Sequence, residues 1–181
     1  MTGQEITYAS QLQTIARKAI LGAGLAATLT TLPLHGQTTI DQNKIAARRW
    51  SEELWSRGNV AVADEIIAAD YVRHDPGDPF PARGAEDVKR IVMMLRSMLP
   101  DFHIEVDAMI AEGDYVVSRY TATATDTAGY MGRPATGKSI RTAAIQIFRF
   151  SNGKIVESWA ARDDLGTLIQ LGHIPAPNAR R

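Results

Sequence analysis

The feature that most constrains this chain is a change of hydrophobic period at Pro100. Before it, Val88, Ile91, Val92, Leu95 and Leu99 recur at i, i+3, i+4, i+7 and i+11, one face of an α-helix that Gly84 opens and Pro100 closes. After it, Phe102, Ile104, Val106, Ala108 and Ile110 alternate with His103, Glu105, Asp107 and Met109, which predicts a half-buried strand. Strand-like segments rich in Val, Tyr, Thr and Ile follow at 115–125, 140–150 and 154–162. Glu112-Gly113-Asp114 joins the first pair, and a Gly- and Pro-containing loop through Gly129, Gly132, Pro134 and Gly137 joins the second. Asn152-Gly153 joins the last pair, a dipeptide in which both turn positions tolerate positive φ.

Upstream of this block the pattern is helical. Asp41 can cap a helix over 43–57, whose Ala46, Trp50 and Leu54 fall on one stripe before Gly58 ends it. Val60, Ala63 and Ile67 predict a second helix over 60–69. Tyr71-Val72-Arg73-His74 reads as a short extended piece stopped by the turn cluster Asp75-Pro76-Gly77-Asp78-Pro79. A short helix over 165–171 and a tail at 175–181 close the chain. Helices first and a meander afterwards imply an α+β domain over 37–174, with helices packed on one face of a curved, mainly antiparallel four-stranded sheet. A bent sheet closed by helices makes a cone-shaped α+β barrel with a pocket.

Residues 1–36 differ from the rest. Arg17 and Lys18 precede an apolar run rich in Ala, Gly, Leu and Thr, the parts of a secretory signal. The run is shorter than the ~20 apolar residues a stable membrane span needs. Glu5 and the poor cleavage pattern Leu34-His35-Gly36 leave an N-terminal helical extension as the alternative. Export to the periplasm or the exterior follows from the first reading, a cytoplasmic protein from the second. The chain has 20 Lys plus Arg and 20 Asp plus Glu, so no long basic track for nucleic acid is implied. The absence of Cys removes disulfides and thiol nucleophiles, and scattered His residues at 35, 74, 103 and 173 do not suggest a metal site. Gly132-Arg133-Pro134-Ala135-Thr136-Gly137-Lys138-Ser139 superficially matches a phosphate loop, but it lies between strands with no helix N-terminus after it. No G-x-S-x-G elbow supports a Ser nucleophile.

Several segments together resemble the SnoaL-like polyketide cyclases of the nuclear-transport-factor-2-like superfamily. They are Trp50 to Trp55 with Gly58-Asn59, Tyr71 to Pro76, Leu99-Pro100-Asp101-Phe102-His103, Val117-Ser118-Arg119 and Gly132 to Lys138. The last block holds Phe148-Arg149-Phe150, Gly153 to Glu157, Trp159, Asp163, Gly166 and Gln170-Leu171-Gly172. The chain departs from many relatives where Asp126 rather than His follows Thr125, and where Ala128 replaces a usual Gly.

The resemblance implies cofactor-free acid/base catalysis of an aldol-type ring closure on a hydrophobic, carbonyl-bearing small molecule, and a homodimer with outer sheet faces opposed. By position, Asp163 would be the acid/base. Either Asp163 or Asp164 can cap the final helix, and the reading taken is Asp164 as cap and Asp163 as pocket acid. His74 would bond substrate or move a proton, with a local turn role as its alternative. Trp55, Tyr71, Met94 and Trp159 would line the cavity. Arg119 and Gln146, mid-strand polar residues, would reach ligand or be satisfied by neighbours. His103 would face away from the core. Rival readings are a non-catalytic exported small-molecule-binding protein, and an epoxide hydrolase or ketosteroid-isomerase-like enzyme.

Overall fold

The computed structural model describes residues 34–75 and 81–177, with side chains from Thr39 onward. Residues 1–33, which carry the apolar leader, and most of the 75–79 turn cluster lie outside the described residues. Helix α1 (Leu34–Arg49) runs directly into a π-helical segment, Trp50–Ser56, where the sequence pattern predicted a regular helix to residue 57. Then come α2 (Val62–Ile66), β1 (Ile67–Arg73), α3 (Gly84–Met98), β2 (His103–Glu112), β3 (Tyr115–Thr125), β4 (Ser139–Ser151), β5 (Lys154–Arg162) and α4 (Asp164–Leu171). No described helix is long and apolar enough to cross a membrane.

The class is α+β, as the change of period implied, but the sheet has five strands in the order β1-β5-β4-β3-β2. β2 to β5 form an antiparallel meander, while β1 lies parallel to β5 through Ile67↔Ile155 and Arg73↔Ser158. The predicted helix over 60–69 is therefore cut short. Ile67 is already extended at φ −104°, ψ 137°. Its partner lies far along the chain, so local spacing could not show it. Apolar residues at 60, 63 and 67 suit a helix or a helix leading into a buried strand.

One face of the sheet is built by Ile140, Thr142, Ala144, Gln146, Phe148 and Phe150 of β4, all buried. Trp50 and Leu54 of the π-helical segment and Val88 and Val92 of α3 pack there with Val116, Phe148, Phe150 and Ile155. Two β-bulges then reset which residues share that face. In β2, Val106 pairs with Tyr120 and Ala108 with Arg119, leaving Asp107 as the extra residue. Ile104 and Val106 point inward before the bulge, Met109 and Ala111 after it, and Ile110 ends 70% exposed. The predicted inward pair Ala108 and Ile110 is thus turned outward. In β5, Ile155 pairs with Phe150 and Glu157 with Arg149, leaving Val156 extra. Ile155, Ser158 and Arg162 sit opposite inward partners, whereas Glu157, Trp159 and Ala161 sit opposite outward ones. In a regular strand Ile155, Glu157, Trp159, Ala161 and Asp163 would share one face, and that one extra residue splits them.

Candidate active site

A cavity of about 140 Å³ lies between α3, the π-helical segment and the inner face of the sheet. Its apolar wall comes from Ile91, Met94, Leu95 and Met98 of α3, with Trp50, Trp55 and Phe102. The π-helical turn explains how two tryptophans five residues apart reach one cavity, since a regular helix brings i+3 and i+4 to one face. The wide turn is fastened locally: the Ser56 hydroxyl donates to the Ser51 carbonyl at 2.8 Å. Arg96 donates to the carbonyls of Ser56 at 2.6 Å, Pro100 at 2.9 Å, Trp55 at 3.2 Å and Phe102 at 3.3 Å. It ties α3 to the end of that segment. Such widened turns gather at functional sites. Trp50 packs at 5.9 Å from Trp55 and 5.5 Å from Phe148, and Trp55 at 6.4 Å from Phe102.

The floor is made by small and polar residues of β3 and β4: Tyr120, Ala122, Thr142, Ala144 and Gln146. Tyr120 and Arg162 flank Ala144 across neighbouring strands, and the methyl side chain leaves the space between them open. Burial is the main force pushing the Tyr120 hydroxyl up to about 12, with Arg162 pulling the other way. It therefore carries its proton at neutral pH and is a donor as well as an acceptor.

One end of the cavity is charged. Arg73 of β1 donates through Nε to Asp75 Oδ2 at 2.7 Å, and its Nη2 lies 2.6 Å from the same oxygen. Arg162 Nη1 also reaches Asp75 Oδ2, at 3.2 Å, and its Nε lies 3.4 Å from Asp164 Oδ1. The Asp75 side chain is 2% exposed, so this carboxylate is held by charge and hydrogen bonds rather than by water. Arg73, Arg162 and Asp164 line the cavity together with Thr142 and Thr167, whose hydroxyls bond each other at 2.5 Å.

A third part is the loop between β3 and β4. Asp126 is fully buried and accepts from the N–H groups of Gly129 at 3.0 Å and Thr136 at 2.9 Å, and from the Thr136 hydroxyl at 2.9 Å. Backbone bonds from Asp126 to Lys138 and from Gly137 to Asp126 close the loop base. Lys138 then donates to the Leu171 carbonyl of α4. The loop is thus clasped rather than free, and it sets Tyr130 and Met131 against the cavity. Gly129 is needed there. Its φ is +98°, and a Cβ would stand 2.1 Å from the Arg133 carbonyl oxygen.

The structure places the residues singled out by sequence in four locations. Trp55, Met94 and Gln146 line the cavity. Tyr71 lies fully buried behind it, its hydroxyl 2.7 Å from the Ser158 hydroxyl. His74, Arg119 and Trp159 are on the other side of the sheet. There His74 stacks on Trp159 with ring centroids 5.0 Å apart and Nε2 3.9 Å from Glu157, while Arg119 reaches Asp107 at 3.3 Å. The β5 bulge puts Trp159 there. Arg119 sits opposite Ile145 on the outer face of β3 and β4. The assignment of the two aspartates is reversed: Asp163 is the N-cap, accepting from Gly166 N–H at 2.8 Å, and Asp164 lines the cavity. His103 is exposed and faces away from the core, as expected. Sequence reasoning missed Arg73, Asp75, Arg162 and Tyr120. The signal for Arg73, Arg162 and Tyr120 was a polar residue in a strand-forming run, whose face depended on strand register, while Asp75 stood in the turn cluster after β1. Among the described residues no group of three or more His, Cys, Asp or Glu is placed to hold a metal ion.

A family model described as SnoaL-like polyketide cyclase matches residues 45–171. Among solved structures, the chain is similar to a protein assigned as a polyketide cyclase from Acidithiobacillus ferrooxidans, at 32% identity and a TM-score of 0.67, covering 73% of this chain and 95% of that one. It is similar to AclR from Streptomyces galilaeus, assigned as a hydroxylase, at 26% identity and a TM-score of 0.66, covering 77% and 87%. An LEH-like epoxide hydrolase from M. tuberculosis shares the fold at 13% identity and a TM-score of 0.60, covering 74% and 92%. No curated protein matches the chain significantly.

Proposed function

Because the chain belongs to the SnoaL-like polyketide cyclase family, we propose that it is a cofactor-free acid/base enzyme acting on a hydrophobic, carbonyl-bearing small molecule. The observation that carries this reading is the apolar cavity with Asp164 and Arg162 at one end and the Tyr120 and Gln146 side chains on its floor. An enolate forms next to a carbonyl when a placed carboxylate takes the α-proton and nearby donors stabilise the growing negative charge on oxygen. Asp164 supplies the carboxylate in this scheme, and the Tyr120 hydroxyl and Gln146 amide supply donors. Attack of that enolate on a second carbonyl of the same molecule closes a ring, and the proton returns from Asp164 to the new alkoxide. Arg162 holds Asp164 in place, and Asp75 holds Arg162 and Arg73.

Deuterium exchange at the α-carbon tests this. Incubated in D2O with acetophenone, the wild-type protein should speed loss of the methyl proton signal, and Asp164→Asn should lower that rate by about 10²–10⁴-fold. Asp163→Asn should leave exchange unchanged and alter only stability, by about 1 kcal/mol or less, through the helix cap. Equal rates for wild type and Asp164→Asn would remove Asp164 from the mechanism.

The pairing of Asp75 and Asp164 on one guanidinium favours a second reading, hydration of an epoxide, in which Asp164 takes a proton from the attacking water as the oxirane C–O bond breaks and returns it to the new alkoxide to give the diol. Incorporation of ¹⁸O from labelled water into a diol product separates it from ring closure. Homodimer formation is supported by the outer sheet face, where Ile110, Val117, Ile147 and Trp159 form one cross-strand row and Ile145 stands 46% exposed beside it.

A further inference from the structure

Resting on the acid/base reading above, we infer that the substrate is an uncharged carbonyl compound of one ring's size, its oxygen held at Tyr120 and Gln146 and its length limited by the clasped loop that carries Tyr130 and Met131. Size comes first. The cavity holds about 140 Å³, whereas an apolar cavity of ~150 Å³ accepts benzene and drug-sized ligands need roughly 300–1,000 Å³. A ligand of several fused rings would have to push Tyr130 and Met131 aside, and three side-chain bonds to Asp126 hold their loop down.

Charge comes second. The charged end holds two guanidiniums and two carboxylates already paired with one another. An anionic ligand would add a third negative charge beside Asp75 and Asp164 and compete with them for the same two guanidiniums. A cation would meet Arg73 and Arg162. Neutral ligands avoid both costs.

Donors on the floor come third. The Tyr120 hydroxyl and the Gln146 amide belong to neighbouring strands and face the cavity. A carbonyl oxygen, which accepts hydrogen bonds and donates none, suits such a pair.

Calorimetric titration of the full chain with acetophenone, benzoate and fluorenone tests all three points at once. Benzoate matches acetophenone in size but is charged, and fluorenone is neutral but has three fused rings. Acetophenone should bind about ten-fold or more tightly than either. Tyr130→Ala, with Met131→Ala as a second variant should the first not fold, should strengthen fluorenone binding while leaving the preference over benzoate. Benzoate or fluorenone binding as tightly as acetophenone would overturn the inference, as would no binding of any of the three. Acetophenone bound with this selectivity but without α-deuterium exchange would leave the inference standing and sink the acid/base reading. Exchange of acetophenone alongside tighter binding of fluorenone would do the reverse.

Discussion

Asp163 and Asp164 are neighbours in the chain and do unrelated work. The first has its carboxylate 2.8 Å from the Gly166 N–H and closes the start of α4, while the second turns into the cavity beside Arg162. A helix start needs one such acceptor, so the other carboxylate is released for the cavity. Tyr120 shows how burial tunes a single group. Folding holds its proton, so its contribution to stability is whole below pH ~10, the ordinary tyrosine value. That contribution is lost as pH rises through the folded value of about 12. Tyr71 is pushed in the same direction, chiefly by burial and against its bond to Ser158. Of the five tyrosines, these two should stay silent in an ultraviolet titration until the protein unfolds in alkali. A smooth titration of all five near pH 10 in the folded protein would contradict the buried placement.

At the scale of elements, turns and bulges decide the site. Gly153 has φ +74° with open space where a Cβ would go, whereas Gly129 has φ +98° and a carbonyl oxygen 2.1 Å from that position. Gly153→Ala should cost about 1–2 kcal/mol of backbone strain and lower the denaturant midpoint without altering ligand selectivity. Gly129→Ala should cost more and free the Tyr130–Met131 wall, visible as new protease cleavage in 126–138. Equal effects of the two would mean that the close approach at Gly129 is not maintained in solution. The bulges at Asp107 and Val156 have a larger consequence, because each reverses the facing of every later residue in its strand. Trp159 is outside and Arg162 inside for that reason.

For the whole molecule, the sheet has two faces with different fates. The described helices pack on the inner face and leave the cavity there, while the outer face presents Ile110, Ile145 and several alanines to solvent. An apolar sheet face of this kind is a place for association. Ile145→Glu should shift a dimer to monomer in sedimentation velocity with little change in thermal stability of the monomer, since Ile145 is 46% exposed. A wild-type protein sedimenting as a monomer at tens of micromolar would refute the homodimer.

Periodicity alone determined that helices precede a meander, that Gly84 to Pro100 bounds a helix and that Asn152-Gly153 turns a hairpin, because these depend on neighbours in the chain. The cavity-lining residues Trp55, Met94 and Gln146 came from the family resemblance rather than from local pattern, since Trp55 and Met94 lie off the apolar stripes of their helices and Trp55 reaches the cavity through the π-helical turn. Local pattern showed only the end of β1, as the extended piece at 71–74, and neither its start at Ile67 nor its pairing with a partner nearly ninety residues away, nor the bulges, which arise from register between strands. It therefore could not choose between Asp163 and Asp164, place Trp159, or bring Arg73, Asp75, Arg162 and Tyr120 to one end of a cavity. The tertiary structure decided those, because a one-residue change of register moves a side chain from the core to the surface.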